Sequence, residues 1–211
     1  FRKQHTAARR SLFMPVNRSV PDVAQKRKGW NGLISGFKAS DLVFLDESGC
    51  NTDMTRRYAY SLGGSRAVDS APLSKPKNTT ILSSIQLDGT LRYTTFSGGT
   101  TVERFKRYLE TDLLPHLNGN SVLIMDNMKS HHAKAVRNLL DSSGVRYIYL
   151  PPYSPDLNPI EKLWSKVKAF LRKFKARTLD ALPNAIQCAF QTVSPSDCSG
   201  WFHSCGYSPY F

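Results

Sequence analysis

Acidic residues are scarce in this chain: 16 Asp and Glu stand against 29 Lys and Arg in 211 residues, for a formal charge of +13. Cysteine is scarce as well. Cys50, Cys188, Cys198 and Cys205 form no CxxC pair, which excludes a zinc ribbon and leaves no disulfide framework, so a reducing cytoplasm suits them. No run reaches the ~18–20 apolar residues that span a bilayer and no signal peptide opens the chain, so no membrane partner is expected. Neither GxxxxGK[ST] nor GxGxxG occurs, which excludes the common phosphate cradles. Ser48, Ser130 and Ser154 lack the His and Asp pattern of a hydrolase triad. The opening residue is Phe1 rather than Met, which reads as a fragment or a downstream reading frame.

Hydrophobic residues make up 40% of the chain, enough for one sizeable domain with a short extension. The charge is unevenly spread. Residues 1–40 hold nine Lys and Arg against Asp22 alone, residues 41–161 are neutral, and residues 162–177 hold seven Lys and Arg with no acid. Two basic segments on a neutral body attract polyanions through counterion release, which suggests a nucleic-acid partner. Solvated helix faces would give the same composition.

Residues 1–18 read as a basic arm. A helix is expected from Ser19 or Pro21, because Trp30, Leu33, Ile34 and Phe37 repeat at helical spacing. Strands are expected at Leu42–Asp46, Arg57–Tyr60, Thr79–Ile85, Leu91–Phe96, Val122–Asp126 and Arg146–Leu150, with Asp88-Gly89 as a hairpin turn and Gly63-Gly64 and Gly98-Gly99 as turns or breaks. Helices are expected from Val102 to Leu114, His132 to Leu140, Ile160 to Phe174, and over residues 178–193 with Thr178 as N-cap. This order predicts an α/β fold, a mixed sheet flanked by helices. Three units result: residues 1–40 as arm and linker helix, 41–177 as the main body, and 178–211 as its helical extension.

Asp46 and Asp126 each end a short apolar strand, where parallel strands line a ligand crevice. Two carboxylates converging there repel one another unless a cation intervenes, and Mg²⁺ is the natural candidate. Either Asp could instead simply begin a turn. A third acid, Glu161, follows Asn158 and Pro159 and is placed to close a capping box on the next helix. The same first turn would also fix it as a metal ligand. Within the basic helix that follows, Lys162, Lys166, Lys168, Arg172 and Lys173 are the candidate DNA contacts. His131-His132 reads as a polar helix start rather than a zinc site. Tyr153 and Trp164 could stack on bases, although packing is the commoner use.

Phe44-Leu45-Asp46-Glu47-Ser48-Gly49, Leu123-Ile124-Met125-Asp126-Asn127 and Leu150-Pro151-Pro152-Tyr153-Ser154-Pro155-Asp156-Leu157-Asn158-Pro159-Ile160-Glu161 resemble the three catalytic blocks of bacterial insertion-sequence transposases in the mariner superfamily. The 34 residues between Asp126 and Glu161 agree with that branch of the DDE endonucleases. The resemblance covers roughly residues 20–207. It implies an RNase H-like fold and two Mg²⁺ or Mn²⁺ ions held by Asp46, Asp126 and Glu161. The implied reaction is cleavage of DNA at transposon ends, then strand transfer of the 3′-OH into target DNA, typically at TA, by a homodimer on DNA in the bacterial cytoplasm, at the nucleoid. It also implies an upstream helix-turn-helix region that reads the terminal repeats and is missing from these residues. A nuclease of the same fold that hydrolyses without joining, and a catalytically inactive DNA-binding remnant, are the alternatives. The three intact acids disfavour the remnant.

Overall fold

The computed structural model describes residues 21–55, 61, 63, 65–68 and 76–207. Its strands are β1 (Leu42–Cys50), β2 (Thr79–Ile85), β3 (Leu91–Ser97), β4 (Val122–Met125) and β5 (Arg146–Tyr149). They form one sheet in the order β3-β2-β1-β4-β5. β2 runs antiparallel to both β1 and β3, whereas β1, β4 and β5 are parallel. The strand expected at Arg57–Tyr60 lies outside the described residues, as do the arm at 1–18, Ser19 and Gly64.

The Asp88-Gly89 turn joins β2 to β3 as its sequence predicts. Gly89 has φ +91°, Asp88 accepts the Thr90 N–H at 2.8 Å, and a Cβ on Gly89 would lie 2.9 Å from the Pro195 Cα. Only glycine suits both the backbone angle and the close approach.

The apolar run in β1 is continuous because the strand is covered on both faces. Leu42 and Phe44 point into one core with α1 (Pro21–Ile34), α4 (Ile160–Phe174), α5 (Ala181–Gln191) and α6 (Pro195–Ser204). Val43 and Leu45 point into the other, against α2 (Val102–Tyr108) and α3 (Lys134–Ser143). Beyond α2 the chain continues through a π turn at Leu109–Leu113 and a 3-10 turn at Leu114–His116, carrying the expected apolar stripe without a regular helix.

Two boundaries differ from expectation with a physical reason. β1 does not end at Asp46 but continues to Cys50, because β2 pairs with it through Cys50 and Thr79. Its parallel partner β4 stops at Met125, opposite Leu45, so Asp46 lies where β1 loses one neighbour. α6 is additional to the helices expected from periodicity. Ser194 and Asp197 form a reciprocal capping box around Pro195, a local start signal that outweighs the weak apolar pattern of the segment.

The loop between β5 and α4 is tied down from two sides. Arg27 on α1 pairs with Asp156 at 2.6 Å, and the Tyr207 hydroxyl donates to the Leu157 carbonyl at 2.7 Å while accepting the Trp30 indole N–H at 2.8 Å. These contacts position the start of α4 relative to the sheet.

Candidate active site

Asp46, Asp126 and Glu161 line one open cleft of about 530 Å³, together with Asn127, Tyr153 and Asn158. β1 and β4 bring the first two together because Leu45 and Met125 are in register, and both acids follow directly. Glu161 enters from the first turn of α4. The helix is amphipathic and buries Ile160, Leu163, Trp164, Val167 and Leu171, which holds that turn against the sheet.

Each acid has its own electrostatic setting. Asp46 is only 7% exposed, and its Oδ2 accepts the Trp164 indole N–H at 3.0 Å. Burial, then the charge of Asp126, pushes its carboxyl up to about 7, against the pull of the Trp164 and Glu47 N–H groups. Burial would raise Asp126 too, but hydrogen bonds from His131 and the Met128 backbone N–H hold it below its ordinary value. Glu161 is pushed up by desolvation and by Asp126, with Lys168 opposing.

Among the described residues, no three His, Cys, Asp or Glu side chains are grouped to hold a single ion. The cleft is therefore no all-protein cage. Its donors are nevertheless hard oxygens with one buried acid reluctant to ionise unaided, and Mg²⁺ takes one or two carboxylates and completes its shell with water and phosphate oxygens. The donor set fits that chemistry.

The expected capping box around Glu161 does not form. Pro159 precedes the helix with no side-chain cap, and the buried Asn158 Oδ1 has no protein partner. Glu161 is thus left to the cleft rather than consumed by a backbone N–H.

His131 corrects the reading of His131-His132 as a polar helix start. α3 begins later, at Lys134, and His131 is fully buried. Its Nδ1 lies 2.9 Å from Asp126 Oδ1 and its Nε2 3.1 Å from Glu47 Oε2. These two carboxylates outweigh desolvation and raise the imidazole to about 9. Alternation along β1 sends Glu47 to the face opposite Asp46, where an inward carboxylate requires a cation. That was the available signal, but the partner lies 84 residues away.

The basic segment divides into two faces. On a helix of 3.6 residues per turn, Glu161, Ser165, Lys168 and Arg172 form one stripe. Lys168 and Arg172 line a second hollow of about 340 Å³ with Gly49, Asn51 and Asp53 at the end of β1. Lys162, Lys166 and Lys173 fall on another face, where Lys166 pairs with Asp197 of α6 at 2.6 Å.

No helix among the described residues is long and apolar enough to cross a membrane. The chain is similar to the transposase of the transposable element Tc1 from Caenorhabditis elegans, with 29% identity over 97 residues that cover 44% of this chain and 36% of that protein. Its fold is similar to that of the Mos1 mariner transposase catalytic domain, at 17% identity and TM-score 0.63 with 87% of each chain covered. It also matches a pre-cleavage Mos1 transpososome (18% identity, TM-score 0.72, covering 87% of this chain and 57% of that one). A Mos1 paired end complex with Mg matches at 16% identity and TM-score 0.75, covering 96% and 64%. The chain thus spans about a third of the curated relative and little more than half of the matched chain in the pre-cleavage transpososome. The five-stranded mixed sheet with its flanking helices is the RNase H-like fold that the catalytic blocks implied. The sequence pattern of the DDE superfamily endonucleases matches residues 41–183, which contain all three acids of the cleft, and the chain belongs to that family.

Proposed function

We propose that this chain is the catalytic part of a mariner-type transposase, which cleaves DNA at transposon ends and joins the freed 3′-OH to target DNA. The observation that carries the reading is the meeting of Asp46, Asp126 and Glu161 in one cleft from two adjacent parallel strands and a helix. In this reading the three carboxylates hold two divalent ions, Mg²⁺ or Mn²⁺. Bound there, such ions lower the pKa of an attacking water and stabilise the leaving 3′-oxygen of an in-line displacement. Asp46, steadied on β1 by Trp164, would hold them alongside the other two acids. Glu161 supplies the helix side and Asp126 the strand side. The Mos1 assemblies containing Mg or Mn support the choice of metal.

Lys168 and Arg172, on the same stripe as Glu161, receive the DNA backbone beyond the cleft, with Lys162 and Lys173 as flanking contacts. Lys166 is committed to Asp197, so its part is structural. The catalytic unit is residues 41–177, with 178–211 as its extension and 1–40 as arm and linker helix. The packing of α5 and α6 into the same core as β1 supports the extension. The partners are transposon-end and TA-containing target DNA, bound by a homodimer in the cytoplasm, at the nucleoid.

The test is a labelled oligonucleotide carrying a transposon end, incubated with the protein and Mn²⁺. Products longer than the substrate report strand transfer, and only shorter ones report a hydrolytic nuclease. Asp46→Asn, Asp126→Asn and Glu161→Gln should each abolish both while retaining DNA affinity. Cleavage surviving in one variant removes that acid from the site.

A further inference from the structure

We propose that His131 is a positioning residue, holding Asp126 so that one carboxylate oxygen is tied to the protein and the other is left for a divalent ion. The inference rests on Asp126 being a metal ligand. Asp126 Oδ1 accepts the Met128 backbone N–H at 2.9 Å and is paired with the His131 ring, whose Nδ1 lies 2.9 Å from Oδ1 and 3.3 Å from the Asp126 backbone carbonyl. Carboxylates only accept, so a ring set between two of them donates from both nitrogens, Nδ1 to Asp126 and Nε2 to Glu47 Oε2 at 3.1 Å.

The ring itself has no freedom to turn. It is 0% exposed and stacks on Phe105, with centroids 4.2 Å apart, and the Tyr149 hydroxyl holds the His131 carbonyl at 2.9 Å. β1 therefore carries two consecutive carboxylates with separate tasks. Asp46 faces the cleft, and Glu47 on the opposite face braces the imidazole that braces Asp126. An unconstrained carboxylate could rotate and offer either oxygen or both. Fixing it beforehand removes the ordering cost from metal binding.

Asn and Gln separate this role from simple packing. The Asn amide nitrogen overlays Nδ1, which faces Asp126, and the Gln amide nitrogen overlays Nε2, which faces Glu47. Mn²⁺ would be titrated into metal-stripped protein without DNA, free Mn²⁺ being read by electron paramagnetic resonance and the thermal midpoint recorded alongside. His131→Asn should bind Mn²⁺ within about threefold of the unaltered chain, and His131→Gln should bind about tenfold or more weakly. Where His131→Gln does not fold, Glu47→Met/His131→Phe keeps a ring on Phe105 and leaves no buried charge unpaired; it should bind as weakly. Equal Mn²⁺ affinity in the Asn and Gln variants, a weaker Asn than Gln variant, or unaltered affinity in the double variant overturns the positioning role alone. No binding by the unaltered chain, or undiminished binding by Asp126→Asn, overturns the metal reading and this inference with it.

Discussion

Trp164 on α4 donates its indole N–H to Asp46 on β1 at 3.0 Å, joining residues 118 positions apart. Trp164 lies one turn after Glu161, so this single bond sets the spacing between the first acid of the cleft and the helix that carries the third. A buried hydrogen bond to a carboxylate also steadies the charged form against desolvation.

Trp164→Phe keeps most of the ring in the core and removes the donor. It should cost about 1–2 kcal/mol in urea unfolding and reduce metal-dependent cleavage at least tenfold. Unchanged cleavage would show that packing alone holds α4 in place.

Asp46 should cost the metal-free protein stability at neutral pH. Its carboxyl keeps a proton in the folded chain up to about 7, against an ordinary 3.8, so the penalty for ionising it grows between these values and is complete above the upper one. Asp46→Asn should stabilise the chelator-treated protein by on the order of 2 kcal/mol at pH 8. The gain should vanish near pH 4, as urea unfolding at the two pH values will measure.

Asp197 has the opposite sign. Lys166, together with the Ser194 backbone N–H and hydroxyl, holds its carboxyl down to about 2. The stability it confers is present above the ordinary 3.8 and is lost as pH falls through about 2. Asp197→Asn should therefore destabilise the protein by about 1 kcal/mol at pH 7, through loss of the Lys166 pair and weakening of its half of the capping box. Its unfolding curve should converge with that of the unaltered chain as acid is added.

The two faces of α4 should separate in DNA binding. Lys168→Gln and Arg172→Gln should each reduce the slope of log affinity against log salt by about one, the effect of one lost phosphate contact. Lys166→Gln should leave that slope unchanged while lowering the thermal midpoint, because its ammonium is already paired with Asp197. Equal slopes across all three variants would return the stripe to a solvated face.

The linear chain determined what local rules can encode. The apolar run Leu42–Leu45, the Asp88-Gly89 turn and the spacing of Ile160, Trp164, Val167 and Leu171 specify a buried strand, a hairpin and an amphipathic helix from near-neighbour patterns alone. The three acids were legible because each follows or opens such an element. Tertiary structure decided which side chains those elements bring together across long separations. Burial of His131 between Glu47 and Asp126, commitment of Lys166 to Asp197, and release of Glu161 from its expected cap all depend on the packing of α3, α4 and α6 against the sheet. Periodicity assigns a side chain to a face, but its partner is set by the docking of elements, whose contacts no local pattern carries.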